Sequence, residues 1–435
     1  MDKSITLFWF RRDLRLEDNT ALISAMASGH PVLPIFIFDD NIISELPKND
    51  ARITFIYNQL SSIHAQLSAK GSALKILRGD PLVVWQQLLT GYDVHSIYFN
   101  RDYEPYAVKR DAELLAMASK RNLAVHTSKD QVIFEAEEVL KSDGKPYTVF
   151  TPYKNQWLRT FDDTQPSLSP RHLADNFLRF EAELPSLEHL GFIPSEIHVP
   201  AYDLSVESAY AEKRDFPALD ATSHLSTHLR FGTVSIRQIV RHLADINGTF
   251  MSELIWREFF MQILFHFPRV VTENFKTKYN KVLWRNDPGE FAAWRRGETG
   301  YPMVDAGMRE LNATGLMHNR VRMITAGFLC KHLLIDWRWG EAYFAEKLLD
   351  YELSSNNGNW QWAAGTGCDS APYFRVFNPS EQLKKFDPQQ QYVAKWVPEV
   401  NTMGYVAPIV DHKLARLRAL DRYKIGLGQF DNQPS

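Results

Sequence analysis

Short apolar runs alternate with helix-period patterns over the first 130 residues. Ile5–Phe10, Val32–Phe38, Leu74–Leu77, Ser96–Phe99 and Leu123–His126 are runs of strand length. Between them the period changes. Over Ile53–Leu67 apolar side chains recur at 53, 56, 60, 63 and 67, which is one face of a helix. Gly71, Gly79-Asp80-Pro81 and Gly91 punctuate the pattern. Alternation of this kind predicts a parallel sheet covered by helices on both faces. No Gly-rich dinucleotide fingerprint follows the first strand, so a nicotinamide cofactor is not indicated there.

Residues 131–200 change character. Pro146, Pro152, Pro166, Pro170, Pro185, Pro194 and Pro200 interrupt any long helix. They predict a long connector with short helices around Phe150–Phe161. From about residue 201 helical patterns dominate and strand signals stop. Ser252–Phe267, Asp305–Leu311, Asn319–Leu334 and Trp339–Leu349 are the clearest. The expected fold class is therefore α/β plus all-α. A Rossmann-like parallel-sheet domain spans 1–130, a linker 131–200, a helical domain 201–425 and a short polar tail 426–435.

Length and composition add bounds. A chain of 435 residues suits two domains, and 45 % hydrophobic residues can fill both cores. No apolar run approaches a membrane span, and with Met1-Asp2-Lys3 leading straight into Ile5–Phe10 no Arg-rich or apolar leader is expected. Two cysteines, Cys330 and Cys368, argue for a reducing compartment and a cytoplasmic protein. Neither has metal-ligand spacing, so no metal is expected. The net charge of −3 hides an asymmetry: residues 131–220 carry 8 Lys+Arg against 16 Asp+Glu, and residues 221–435 carry 26 against 21. Eight of the 11 Trp also follow residue 220. Basic charge interleaved with aromatics is compatible with nucleic acid, although a solvated surface explains so small a surplus equally well.

Residues 350–379, DYELSSNNGNWQWAAGTGCDSAPYFRVFNP, are too polar and Gly-rich for a plain core helix and too aromatic for a plain loop. Two indoles beside paired amides suit a site that stacks a flat molecule and hydrogen-bonds its edge. Glu253, Trp256 and Arg257 fall at i, i+3 and i+4, so a carboxylate, an indole and a guanidinium share one helical face. An ordinary surface ion pair beside a half-buried Trp reads equally well. His318-Asn319-Arg320-Val-Arg322-Met323 packs an amide, two Arg and a His into a few residues, which is harder to assign to a core. Thr222–Thr227 is a hydroxyl cluster ahead of a helix. It suits an anion site, helped by Tyr210 and Arg214, or simple capping. No G-x-S-x-G elbow and no Walker loop is present, which disfavours a hydrolase or an NTPase. What remains suits a site where a bound cofactor does the hard step.

Trp9-Phe-Arg-Arg-Asp13-Leu-Arg15-Leu-Glu-Asp18-Asn19 resembles the N-terminal signature of the photolyase/cryptochrome family. Thr222–Ser226, Glu253–Glu258, Thr299–Asp305, Gly315–Met323 and Asn356–Pro379 resemble its other blocks, in order, so the resemblance spans residues 5 to about 424. It implies an antenna domain, a linker and a helical domain that holds FAD, active as FADH⁻. It places Tyr210, Thr222, Ser223, Leu225, Ser226, Phe250, Glu253, Arg257, Asp350, Glu352 and Asn356 around FAD, with Asn356 against flavin N5. The block at His318–Met323 is closest to the class I photolyases of cyclobutane pyrimidine dimers. (6-4) photolyases instead carry His at the positions of Asn319 and Met323. The resemblance then implies a monomer that flips a UV-damaged pyrimidine pair out of DNA. Trp256, Trp362, Asn319 and Met323 would contact the dimer, and Glu253 would hydrogen-bond its edge. Arg320, Arg322, Arg375 and Lys384 would meet phosphates. Glu253, Asn319 and Asn356 would carry the chemistry, and Trp360, Trp337 and Trp284 would relay electrons to the flavin. A blue-light photoreceptor and a (6-4) photolyase are the alternatives. Leu316, Phe250 and Glu352 depart from the usual Trp, Trp and Asp. The block Asn100–Ala107 lacks the Asn-Glu pair that holds folate in some relatives, so a folate, a deazaflavin or an empty antenna site all fit.

Overall fold

The computed structural model describes residues 4–164, 176–243 and 248–428. Pro166 and Pro170 of the expected connector, and the tail beyond 428, lie outside the described residues. The chain divides into two compact units. The first comprises residues 1–138, 159–202 and 224–251, and the second residues 139–158, 203–223 and 252–435.

The first unit is built on five parallel strands: β1 (Ile5–Phe10), β2 (Val32–Asp39), β3 (Lys75–Gly79), β4 (Val94–Asn100) and β5 (Ala124–Ser128). Their order is β3-β2-β1-β4-β5. Every residue of β1 and β2 is buried, as a central strand covered on both faces requires. The helices start where the sequence supplies caps. Asn19 accepts from the Leu22 N–H, Asp50 from the Arg52 N–H, and Asp80 from the Leu82 and Val83 N–H groups with Pro81 behind it. The expected strands appear within one to two residues of their bounds, and the helix over Ile53–Leu67 appears as Ala51–Ser68.

Residues 224–251 group with this unit, not with the helical domain assumed for 201–425. The reason is a buried charge cluster. Arg237 reaches Asp18 at 3.0 Å and Asp130 at 2.9 Å, and Arg15 reaches Asp130 at 2.8 Å. Leu14 N–H also donates to the Phe231 carbonyl at 3.0 Å. Gly232 turns with φ +63°, and any side chain there would meet the Arg12 carbonyl at 2.1 Å.

Among its described residues the second unit is helical. Its core gathers Trp294, Val304, Met308, Leu329, Trp337, Phe344 and Trp360. The helix expected over Asn319–Leu334 is α-helical only to Gly327. It then widens to a π-helical turn over Phe328–His332 and ends with Leu334 in the left-handed region. Cys330 and Cys368 are both buried thiols. Among the described residues no helix is long and apolar enough to cross a membrane.

Candidate functional site: a polar–aromatic cavity in the helical unit

Residues 353–364, LSSNNGNWQWAA, form a regular helix despite their Asn and Gly content. Tertiary partners explain it. Asn357 and Gln361 lie one turn apart, and both donate to the Val270 carbonyl at 3.0 Å. Gln361 Oε1 accepts from the Phe275 N–H at 2.8 Å. These amides are buried yet satisfied, so they cost little. Gly358 is required on the same helix, because a Cβ there would sit 2.1 Å from the Phe260 ring. The helix ends at Gly365, φ +85°. A composition argument cannot see these partners, which is why the segment reads as irregular from sequence.

This helix lines a cavity of about 100 Å³. Asn356, Trp360 and Trp362 come from it. Asn319, Arg322 and Met323 come from the helix Asn319–Gly327, and Asp350 and Glu352 from the turn that leads into residue 353. Eight residues expected from sequence thus meet around one space. The cavity is smaller than a drug-sized site.

The electrostatics of the walls are paired. Arg322 grips Asp350 with two contacts, 2.9 and 3.2 Å, and donates to the Met317 carbonyl at 2.7 Å. Its guanidinium is thus paired within the cavity wall while about a quarter of the side chain stays exposed. Glu352 lies 3.6 Å from Arg257. Asn356 Nδ2 donates to the Glu341 backbone carbonyl at 3.0 Å and to its carboxylate at 3.1 Å, leaving the amide oxygen of Asn356 as an acceptor. Burial raises the Glu341 carboxyl above the usual range. His318 caps its helix by accepting from the Arg320 N–H at 3.2 Å, and burial pushes its pKa down to about 4, so it is neutral at pH 7.

Glu253, Trp256 and Arg257 share the helix Gly248–His266, and Glu253 and Trp256 are not among the cavity walls. Glu253 pairs with Arg214 at 2.5 Å, and burial together with Glu253 pushes Tyr210 up to about 12. Trp256 stacks on Phe150, 3.7 Å between centroids and 8° between planes, so one indole face is covered. Thr222 is half-buried and Ser223 buried. The first unit holds Leu225 and Phe250, buried, and Ser226, exposed. Arg320 pairs with Asp215 at 2.7 Å, and Lys384 pairs with Glu381 at 2.8 Å. Arg375 is exposed. Trp337 is fully buried and donates to Asn274 at 2.8 Å, and Trp284 packs against the core edge.

Sequence reasoning missed Glu341 and Gly340. A lone Glu in a mixed helix carries no signal. Gly340 matters because a Cβ there would sit 2.1 Å from Trp360. The donor set fits an isoalloxazine: amide and carboxylate groups for its polar edge, and indoles for its flat faces. Asn356, Asp350, Arg322 and Glu352 would hold it.

Two family models match the chain. The model described as DNA photolyase matches residues 6–171, and the one described as the FAD binding domain of DNA photolyase matches residues 250–404. A deoxyribodipyrimidine photo-lyase of Halobacterium salinarum is 36 % identical, over 97 % of this chain and 99 % of its own. The crystal structure of a class III photolyase from Agrobacterium tumefaciens has a TM-score of 0.88 at 34 % identity, covering 98 % of both chains. That of an archaeal photolyase from Sulfolobus tokodaii, with two FAD molecules, has a TM-score of 0.84 at 32 % identity, covering 97 % of this chain and 99 % of that one. With the parallel-sheet unit, the helical unit and these matches together, the chain belongs to the photolyase/cryptochrome family.

Proposed function

We propose that this protein repairs cyclobutane pyrimidine dimers in UV-damaged DNA, using light and FAD. The observation that carries the reading is the cavity wall where Asn319, Met323 and Trp362 meet Asn356, Asp350 and Glu352. Met323 and Trp362 offer apolar and aromatic surface suited to a flat lesion, and the amide of Asn356 with the ion-paired Asp350 and Glu352 suits a flavin edge. The curated name of the relatives supports the same substrate.

Bound, reduced FAD supplies one electron in the light. The protein's own groups do the rest. Asn319 offers an amide to the pyrimidine edge, and Met323 and Trp362 pack on its faces. Glu253 gives one oxygen to Arg214. Its other oxygen has no protein donor among the described residues and is available to a base N–H. Arg375, exposed near this unit's surface, and the paired Arg320 and Lys384 contribute positive charge toward phosphates. Asn356, held by Glu341, presents a neutral amide oxygen to the cofactor, so this side chain adds no charge beside a reduced flavin.

The test is dimer loss in UV-irradiated oligothymidine, with reduced protein in blue light against the same mixture in the dark. Thymine absorbance should return only in the light, and Glu253→Ala should slow that return by about tenfold or more, the cost of a hydrogen bond to a charged group. No return with FAD bound and reduced would sink the repair reading in favour of a photoreceptor. Return on a (6-4) substrate alone would reassign the lesion.

A further inference from the structure

We propose that Asp215 is a built-in competitor for DNA phosphate: it occupies the Arg320 guanidinium until a backbone phosphate displaces it, and so lowers the affinity for undamaged duplex. This role for Asp215 rests on the DNA-repair reading.

The pair joins distant parts of the chain. Asp215 follows the short helix Tyr210–Lys213, and Arg320 lies in the first turn of the helix Asn319–Gly327, 105 residues on. Asp215 Oδ1 accepts from Arg320 Nη2 at 2.7 Å, and its other oxygen has no protein donor among the described residues. Asp215 accepts from no backbone N–H among them, so it caps nothing, and its side chain is 39 % exposed. A structural carboxylate would be tied down by more than this one contact. Arg214, its neighbour, pairs with Glu253 at 2.5 Å. The dipeptide Arg214-Asp215 thus holds one anionic and one cationic group, Glu253 and Arg320, that the repair reading assigns to the lesion and to the DNA backbone.

The Arg320 side is fixed and underused. Its guanidinium carbon lies 4.4 Å from the centre of the Phe386 ring, which sets its plane. Among the described residues Nη1 meets only Met323 Sδ, a weak acceptor at 3.8 Å, and Nε is buried with no partner. Met323 lines the cavity, so this guanidinium stands beside the wall where a lesion would sit. One carboxylate oxygen on a fork of five N–H donors leaves room for a better acceptor. A phosphate brings two oxygens for a two-pronged grip that Asp215 does not make. Phe386 and Met323 keep the guanidinium in place when Asp215 leaves. Phe216, with its ring 6.5 Å from that of Phe386, keeps the displaced carboxylate nearby.

Neighbouring pairs differ in the way that matters. Arg322 grips Asp350 through two contacts and Asp350 is buried deep in the wall, so that pair is fixed. Lys384 and Glu381 are both exposed on one helix, so water already screens them. The Arg320–Asp215 pair lies between these extremes, close enough to compete and open enough to exchange.

The exchange has a salt signature. A phosphate that meets a free Arg releases about 0.9 of a counter-ion from B-DNA. In the wild type the displaced Asp215 carboxylate stays beside the phosphates and retains a cation there, which offsets much of that release. Neutralising Asp215 removes the offset, so the slope of log K against log salt should steepen by up to about 0.9. Removing a competitor with the strength of a partly exposed ion pair should also tighten binding at low salt by up to about fivefold.

The experiment uses the full FAD-loaded chain in the dark, with a fluorescein-labelled undamaged duplex followed by anisotropy from about 50 to 200 mM salt. Asp215→Asn, and Asp215→Ser as a second neutral variant, should bind more tightly and with the steeper slope. In an Arg320→Gln background neither change should alter affinity or slope. Wild-type affinity and slope in both neutral variants would refute the competitor. An equal gain in the Arg320→Gln background would mark a general loss of negative charge, and refutes it too. Loss of bound flavin in both neutral variants would assign Asp215 a structural role instead. A wild type that binds neither this duplex nor a UV-irradiated one overturns the DNA-repair reading itself, and the competitor with it.

Discussion

Gly340→Ala sets two known effects against each other with opposite signs. Gly340 lies inside the helix Trp337–Lys347. Replacing an interior helical Gly by Ala stabilises by about 1 kcal/mol through backbone propensity alone. Here the new Cβ would sit 2.1 Å from Trp360 Cη2, 2.4 Å from Cζ3 and 2.6 Å from Leu329 Cδ2. Ordinary carbon contact is about 3.5 Å, so the indole must retreat by 3.5 − 2.1, about 1.4 Å. Trp360 is 2 % exposed and wedged against Trp294 and Phe344, so it has little room to move. Overpacking of this kind costs about 1–3 kcal/mol, enough to cancel or reverse the propensity gain. The expected net change is from neutral to about 2 kcal/mol destabilising. Urea unfolding of the FAD-loaded variant measures it, and light-driven flavin reduction measures the shift of Trp360. A variant about 1 kcal/mol more stable than wild type, with unchanged photoreduction, would refute the packing argument.

Trp360→Phe should block photoreduction of oxidised flavin, yet spare dimer repair by flavin reduced chemically. Loss of repair under those conditions would mean the indole does more than relay electrons. Asp130→Asn should cost about 3–5 kcal/mol, since it leaves the buried guanidinium groups of Arg15 and Arg237 short of their counter-charge. Burial alone would raise the Asp130 carboxyl, but Arg15 and Arg237 outweigh it and hold the pKa below the usual range. That stability is therefore complete above the unfolded carboxylate pKa and is lost as pH falls through the lower folded one. Acid titration of unfolding should show it in the wild type and a flatter curve in Asp130→Asn. Arg322→Met removes the two-pronged partner of Asp350 and should weaken FAD retention, read by gel filtration and bound-flavin absorbance. Retention equal to wild type would argue that the pair shapes the wall without holding the cofactor.

The alternation of short apolar runs with a 3.6-residue pattern was sufficient to reveal the five-stranded parallel sheet and its capped helices, because local period and capping chemistry are properties of neighbouring residues. Asn319, Met323, Asp350, Glu352, Asn356 and Trp362, singled out by motif and resemblance, do line one cavity, while their roles toward a ligand remain part of the proposal. Long-range partners were not legible in the sequence. Only the tertiary structure joins residues 224–251 to the sheet unit through Arg237, Asp18 and Asp130. Only it makes LSSNNGNWQWAA a helix, since the carbonyl of Val270 that satisfies Asn357 and Gln361 lies more than 80 residues away in sequence. The pairing of Arg322 with Asp350, 28 residues away, is likewise a contact that residue type does not announce. Glu341 and Gly340 are silent in the chain because their roles are contacts, a hydrogen bond to Asn356 and a cradle for Trp360. Residue type and period are written locally. Which charges are neutralised, and which rings touch, depends on distances that only folding creates.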